Sequence, residues 1–306
     1  ITPLTDQVRN APSEVCYYKA VGTEFDPTVS DNCPTVTLVN NQNNSNTLAD
    51  FEFPVGITAV VWTATDASGN VATMQFQVTV NDVTPPAYTL SATATKNAAS
   101  NGCYYTTTGT EFDPQGIADN CTPGNFTVLN NYNNYKSLEY VQFPVGTTTV
   151  EWSVKDFYGN EQKKTIAITV EDHVKPLISC PASGYTRVVD AGKTYYTVGS
   201  DEFKPVATDN CGVTSYTNSY NHTGTLTGEH LNAGTHNITW TALDGAGNSE
   251  TCTVTIYVVT ELYPAISCVG DQLEGTGALT CSYTVSGTGF DATSTTAGVT
   301  LTHNYG

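Results

Sequence analysis

The chain has 306 residues and a formal net charge of −18 at pH 7, with a sequence pI of about 4.3. Its 11 Lys and Arg are outnumbered by 29 Asp and Glu. This balance argues against binding to a nucleic-acid backbone, because phosphate contacts need clusters of Lys and Arg. No apolar run approaches the roughly 18 residues that span a bilayer, so we predict no membrane insertion in this segment.

One stretch of sequence occurs three times, at Phe53–Val80, Phe143–Val170 and Leu231–Val258. Each copy contains one of the chain's three tryptophans, which are Trp62, Trp152 and Trp240. Successive tryptophans are about ninety residues apart, which is too long for one turn of a solenoid. That period suits a complete small β-domain repeated in tandem.

The first copy has the pattern of a β-hairpin. Val60, Trp62 and Ala64 alternate with residues of the opposite face, which is typical of a half-buried antiparallel strand. A turn follows at Asp66–Asn70, where Gly69 supplies a positive φ and the aspartate accepts backbone hydrogen bonds. The other two copies keep this order, so we predict that each tryptophan anchors the core of its repeat.

Proline-containing linkers separate the copies, because proline cannot continue a ladder of strand hydrogen bonds. About seven strands are predicted in each complete repeat, which indicates an immunoglobulin-like β-sandwich, with a closed barrel as the alternative. The predicted fold is therefore all-β, with three complete tandem domains and one partial domain. The last copy stops before its tryptophan hairpin, so we expect the natural chain to continue. The predicted ranges are 1–84, 85–174, 175–262 and 263–306.

Nine cysteines in strand-rich sequence indicate an oxidising compartment. In the first two repeats the spacing within each pair is similar, which predicts the disulfides Cys16–Cys33 and Cys103–Cys121. The third repeat has Thr194 where the first cysteine would stand, so we pair Cys180 with Cys252 and leave Cys211 free. Cys268 and Cys281 pair with each other or with cysteines further along. A zinc site is the less favoured alternative, because no closely spaced Cys or His motif is present.

No motif indicates catalysis, so we predict a non-enzymatic protein. The five histidines are scattered, and no nucleophile or carboxylate has a partner that recurs from repeat to repeat.

Calcium is the strongest chemical candidate. In an immunoglobulin-like sandwich two loops lie at the pole that faces the preceding domain, and hard cations prefer clusters of carboxylates. Against this, Asp-x-x-Gly-Asn and Asp-Asn are good turns without any metal. For the second repeat the predicted ligands are Asp82, Asp113, Asp119 and Asp156. For the third repeat they are Glu171, Asp172, Glu202, Asp209 and Asp244.

The order F-P-V-G-x-T-x-V-x-W-x-x-x-D-x-x-G-N, preceded by Asp-Asn-Cys, resembles the hyalin-repeat (HYR) family. The added block Cys-Tyr-Tyr-Thr…Gly-Thr-Glu-Phe-Asp-Pro is similar to tandem repeats of very large flavobacterial surface adhesins, including the gliding-motility adhesin of the SprB type. The resemblance covers essentially the whole chain. It implies an extracellular, adhesive and filament-forming protein on a bacterial surface, and it names no ligand. In that family four cysteines are common, and Cys180 and Cys252 match the outer two.

Three functional hypotheses follow. The first is a structural and adhesive stalk whose partners are further copies of the repeat and a surface polysaccharide or protein. The second is a carbohydrate-binding or spacer region of a larger secreted enzyme, with sugars bound by the exposed tyrosines and the Asn-rich tips at Asn40–Asn46, Asn130–Asn134 and Asn218–Asn221. The third is assembly between chains through sheet edges.

Overall fold

The computed structural model describes residues 1–32, 35–121 and 124–260, together with the backbone of 266–267 and 293–294. Every helix or strand assigned in these residues is a β-strand, which confirms the all-β prediction. In this part of the chain, no helix has the length and hydrophobicity to cross a lipid bilayer. The chain divides into two compact units, Ile1–His173 and Val174–Gly306.

The first repeat of unit 1 has six strands in the described residues: β1 (Gln7–Asn10), β2 (Tyr17–Lys19), β3 (Val36–Asn40), β4 (Glu52–Pro54), β5 (Gly56–Asp66) and β6 (Val71–Asn81). The larger sheet has the order β1-β6-β5-β3, and β2 pairs with β4 in a second, two-stranded sheet. β1 runs parallel to β6, whereas the other pairs are antiparallel. The larger sheet is open at β1 and β3, so this repeat is a sandwich and not a closed barrel.

The second repeat of unit 1 keeps this plan. Its larger sheet is β8-β14-β13-β11, again with one parallel pair, and its smaller sheets are β9-β12 and β7-β10. The strands are β7 (Ala87–Thr89), β8 (Thr93–Asn97), β9 (Tyr104–Thr106), β10 (Gln115–Ala118), β11 (Thr127–Asn130), β12 (Gln142–Pro144), β13 (Gly146–Lys155) and β14 (Glu161–Glu171).

Unit 2 contains the third repeat, whose strands are β15 (Leu177–Ser179), β16 (Tyr185–Val188), β17 (Tyr195–Thr197), β18 (Val206–Thr208), β19 (Val213–Asn218), β20 (His230–Asn232), β21 (Gly234–Asp244) and β22 (Ser249–Val259). They form the sheets β16-β22-β21-β19, β17-β20 and β15-β18. Two short strands, β23 (Ile266–Ser267) and β24 (Thr293–Ser294), pair antiparallel. The predicted fourth domain, 263–306, otherwise lies outside the described residues, and the predicted domain boundaries stay a prediction.

The tryptophan of each long hairpin lies at the centre of a separate core. All three indoles are fully buried, as predicted. In the first repeat Trp62 on β5 packs with Phe53 from the smaller sheet and with Phe76 on β6. Because both sheets contribute to one cluster, the two layers are held together by burial of these rings. The Trp62 indole N–H also donates to the carbonyl of Phe25 at 3.1 Å.

The turn of each long hairpin is closed by its first aspartate. Asp66 Oδ1 accepts the amides of Ser68 and Asn70, each at 2.8 Å, and Oδ2 accepts the Asn70 side-chain amide at 2.7 Å. Gly69 has a φ of 82°, which favours glycine at this position. Asp156 and Asp244 bind Asn160 and Asn248 in the same way. The chain's own donors therefore close this turn, which agrees with the interpretation of the motif as a structural turn.

The Asn-rich tips are hydrogen-bonded turns built on one buried asparagine. Asn130 is 3% exposed. Its Oδ1 accepts the amides of Tyr132 and Asn133, and its Nδ2 donates to Asn133 Oδ1 and to the carbonyl of Tyr135. Asn40 and Asn218 make equivalent contacts. The abundance of asparagine is thus explained by local structure.

A glutamate triad recurs in all three repeats. Glu111 forms an ion pair with Lys96 at 2.6 Å, and it accepts the hydroxyl of Tyr105 at 2.6 Å and the amide of Thr108 at 3.1 Å. Glu24 has Arg9 and Tyr18 in the same roles, and Glu202 has Arg187 and Tyr196.

The contacts of the triad shift the pKa of its carboxylate. Burial alone would raise the pKa of Glu111, but the hydrogen bonds from Lys96, Tyr105 and Thr108 outweigh it and lower the pKa below its ordinary value. A carboxyl group whose pKa is lowered by folding stabilises the folded state above its unfolded pKa. That contribution is lost as the pH falls through the folded pKa.

We expect Glu111→Gln to lower the free energy of unfolding by about 1–2 kcal/mol at pH 7, because an ionised acceptor of three donors is lost. The difference from the wild type should shrink as the pH falls below about 4, where the wild-type carboxylate is itself protonated. Urea unfolding of both proteins at pH 7 and below pH 4 measures this difference in the free energy of unfolding. Glu139→Gln, at an exposed position in the same repeat, is the matched control. Equal curves for the two variants would contradict the structural role.

Candidate functional site at the joint of the first two repeats

Three aspartates from separate segments of unit 1 meet where the first repeat joins the second. Asp82 follows β6 in the linker, Asp119 follows β10, and Asp156 begins the turn between β13 and β14. Asp82 and Asp156 are each 6% exposed. One carboxylate oxygen from each of the three lies within 4.8 Å of the others. The sequence predicted all three as neighbours, and the structure brings them together.

Each aspartate also has a local structural task. Asp82 Oδ1 accepts the amide of Thr84 at 3.1 Å, which turns the linker. Asp119 Oδ1 accepts the amide of Cys121 at 2.9 Å, and Asp156 closes its hairpin turn. These bonds fix the three carboxylates in place, and they engage one oxygen of Asp82.

The second oxygen of Asp82 is the unusual feature of the cluster. Among the described residues, nothing donates a hydrogen bond to Asp82 Oδ2, although that atom is buried. Asp82 and Asp156 also form no ion pair with a described lysine, arginine or histidine. Burial raises the pKa of the Asp82 carboxyl, and the charges of Asp119 and Asp156 raise it further. A buried carboxylate in this setting is costly unless a cation or a proton neutralises it.

The same joint is closed covalently by a disulfide between Cys16 of the first repeat and Cys121 of the second, with a Cα–Cα distance of 4.7 Å. The predicted pairings Cys16–Cys33 and Cys103–Cys121 are therefore wrong. The similar spacings reflect the repeat, whereas bonding requires Cα atoms within about 7 Å, and packing between repeats decides which cysteines meet. Cys33 lies outside the described residues, and Cys103 is disulfide-bonded.

Two asparagines add hydrogen bonds across the joint. Asn120 donates its side-chain amide to the carbonyls of Pro12 at 3.2 Å and Val15 at 2.9 Å. Asn160 donates to the carbonyl of Asp82 at 3.2 Å while it also closes the turn on Asp156. Sequence reasoning missed both roles. The sequence signals were the recurring motifs that contain them: Asn120 follows Asp119 in Asp-Asn-Cys, and Asn160 ends the hairpin turn in Gly-Asn.

The remaining predicted ligands of the second repeat and its C-terminal linker lie elsewhere or have other partners. Asp113 is buried and accepts the amide of Leu138 at 2.9 Å. Glu171 contacts His173 at 3.1 Å with its side chain about half exposed. Asp172 is buried at the end of β14. The clustering of Asp82, Asp119 and Asp156 thus does not extend to Asp113.

In unit 2, Glu202 belongs to the glutamate triad and forms an ion pair with Arg187. Asp209 and Asp244 repeat the local bonds of their counterparts, since Asp209 accepts the amide of Cys211 at 2.8 Å and Asp244 closes its turn. The predicted Cys180–Cys252 disulfide is confirmed, with a Cα–Cα distance of 5.7 Å. Cys211 is disulfide-bonded, so the prediction that it is free is wrong. Cys268 and Cys281 lie outside the described residues.

The comparisons with known proteins identify the family. The HYR domain model matches residues 14–80 and 171–258. The chain is 31% identical to Hyalin of Lytechinus variegatus over 256 residues, which cover 81% of this chain and 45% of that protein. It is 33% identical to Hyalin of Strongylocentrotus purpuratus over 247 residues, or 76% of this chain and 18% of that protein. The chain thus spans less than half the length of these relatives.

The protein is a tandem array of immunoglobulin-like β-sandwiches, and the chain belongs to the HYR domain family. The disulfides fit an oxidising, extracellular compartment. Among solved structures, mouse cadherin-23 EC22–24 aligns with a TM-score of 0.34 at 13% identity, over 85% of this chain and 96% of that one. The titin fragment I67–I69 aligns with a TM-score of 0.34 at 10% identity, over 84% and 97%. Likeness at this level carries no functional information.

We expect mass spectrometry of a non-reduced proteolytic digest to yield a peptide pair linked through Cys16 and Cys121. A second pair should be linked through Cys180 and Cys252. Both pairs should disappear after reduction. Recovery of Cys16 bonded to Cys33 in the natively folded chain would contradict the cross-repeat bond.

Proposed function

We propose that this chain is a load-bearing segment of an extracellular adhesive stalk on a bacterial surface, of the kind that serves gliding motility. The HYR family and the hyalin relatives support an extracellular adhesive repeat region. The bacterial and gliding part of the proposal is supported by the similarity of the block that begins at Cys103 to flavobacterial surface adhesins.

The observation that carries the proposal is the disulfide across the first joint. Cys16 and Cys121 close a loop with a sequence separation of 105 residues. That loop contains the tryptophan hairpin of the first repeat and all strands from β2 to β10. A pulling force applied to the chain ends passes through the sulfur–sulfur bond and bypasses this loop. Such a repeat resists extension even when its noncovalent packing fails, which is what a stalk under load requires.

Cys180–Cys252 acts similarly within unit 2, where it closes a loop with a sequence separation of 72 residues. This loop contains the hairpin partner strand β21 and the buried Trp240. Most of the sandwich core of this repeat is therefore shielded from force along the chain. The disulfides Cys16–Cys121 and Cys180–Cys252 thus both shield a tryptophan hairpin from force along the chain, although they join different positions of the repeat.

We expect single-molecule pulling of the oxidised chain to release less contour length than pulling of the Cys16→Ser variant. The gain should be at most roughly 350–380 Å, because the loop has a sequence separation of 105 residues and an extended chain spans about 3.3–3.6 Å per residue.

Cys180→Ser is the matched control for this measurement. It should add roughly 240 Å, because its loop is shorter, and it should leave the extension of unit 1 unchanged. Equal contour lengths for the oxidised wild type and Cys16→Ser would overturn the load-bearing role.

We expect an antibody against this chain to label intact, non-permeabilised source cells, and to inhibit their attachment or movement on a surface. Pre-absorption of the antibody with the purified chain is the control. Labelling that appears only after the cells are permeabilised would overturn the proposed location.

A further inference from the structure

We propose that Asp82, Asp119 and Asp156 bind one hard divalent cation, which is Ca²⁺ in an extracellular medium. The proposal goes beyond the load-bearing role and does not depend on it. Acidic residues often cluster without an ion, so the argument depends on the state of Asp82. This carboxylate is 6% exposed, and its Oδ2 is buried and accepts no hydrogen bond from the described residues.

The spacing of the oxygens fits one shared ion. Ca²⁺ binds oxygen ligands at about 2.3–2.6 Å, so two ligands of one ion are at most about 5 Å apart. One oxygen from each aspartate lies within 4.8 Å of the others. Three carboxylates this close repel one another, and a cation between them offsets that repulsion because it attracts each carboxylate.

The chemistry of the donors selects the class of cation. All three residues offer carboxylate oxygens, which hard cations such as Ca²⁺ and Mg²⁺ prefer over the nitrogen and sulfur ligands of zinc sites. Mg²⁺ requires near-ideal octahedral geometry at about 2.0–2.1 Å and gives up its water reluctantly. Ca²⁺ tolerates irregular geometry, which suits ligands from a linker, a loop and a hairpin turn.

The first repeat supplies an internal comparison. Asp66 closes the same hairpin turn as Asp156, with the same bonds to its asparagine partner. In the described residues Asp66 belongs to no acidic cluster of this kind. The hairpin turn alone therefore does not account for the cluster at the joint.

An ion at this position would connect the end of the first repeat to two loops of the second. Asp82 belongs to the linker, whereas Asp119 and Asp156 belong to loops of the second sandwich. Binding would thus restrain the linker at the point that Cys16–Cys121 and the Asn160 contact already hold. Its expected effect is a stiffer and more stable joint, independent of the disulfide.

The test uses the intact chain, freed of metal with a chelator and then titrated with calcium chloride in a calorimeter. We expect Asp82→Asn to bind one calcium ion fewer per chain than the wild type. Without calcium, this variant should unfold at the same temperature as the wild type or a higher one, because it removes a repelled buried charge. With calcium in the millimolar range, the wild type should gain several degrees and become the more stable protein.

Two controls separate binding from other effects. Asp66→Asn and Asp156→Asn disturb the same kind of hairpin turn. Asp66→Asn should bind as much calcium as the wild type, whereas Asp156→Asn should bind one ion fewer. If Asp82→Asn fails to fold, the pair Asp66→Asn and Asp156→Asn decides the question. Equal calcium binding by wild type and Asp82→Asn, or a thermal shift reproduced by sodium chloride at equal ionic strength, would overturn the proposal. The titration and the pulling experiment can fail independently.

Discussion

The burial of one indole per repeat is the interaction on which the structure depends. A small sandwich has two thin sheets, and each large ring that both sheets contact contributes much of the apolar area removed from water. Trp62, Trp152 and Trp240 are fully buried on the central strand pair of their sheets. The long hairpin that holds each ring provides most of the backbone pairing of its repeat. Two of the three aspartates at the first joint lie at hairpin ends, Asp82 after β6 and Asp156 after β13, so the core positions part of the joint.

Polar residues in this chain are mostly engaged in local structure. Asn130 and its counterparts hold the tips together, and each glutamate triad links a tyrosine of the smaller sheet to a basic residue of the larger sheet. Sugar binding through the buried asparagines would compete with these bonds. The recurrence of these polar residues is therefore explained by their structural contacts, and it does not by itself indicate ligand sites. At the first joint, Asp82 keeps a buried oxygen to which no described residue donates a hydrogen bond.

The first joint combines three kinds of restraint that respond to different conditions. The disulfide is sensitive to reduction, the asparagine hydrogen bonds depend on packing, and the aspartate cluster depends on its counter-charge. A linker fixed in this way differs from a flexible one, which would let neighbouring domains reorient freely. For a stalk outside the cell, where oxidising conditions and dissolved divalent cations occur together, these restraints would act at the same time.

Sequence patterns alone predict the hairpins, their buried tryptophans and the all-β sandwich fold, because strand alternation and turn chemistry act over a few neighbouring residues. The sequence also placed Asp82, Asp119 and Asp156 together, since loop positions follow from the strand order. It could not separate them from Asp113, whose side chain accepts the amide of Leu138, nor exclude Glu202 from the set predicted for the third repeat, where it pairs with Arg187. Nor could it choose the partner of Cys16, because Cys33 and Cys121 occupy equivalent positions in successive repeats. Only the packing of one repeat against the next brought Cys121 within bonding distance, and that contact is a property of the tertiary structure.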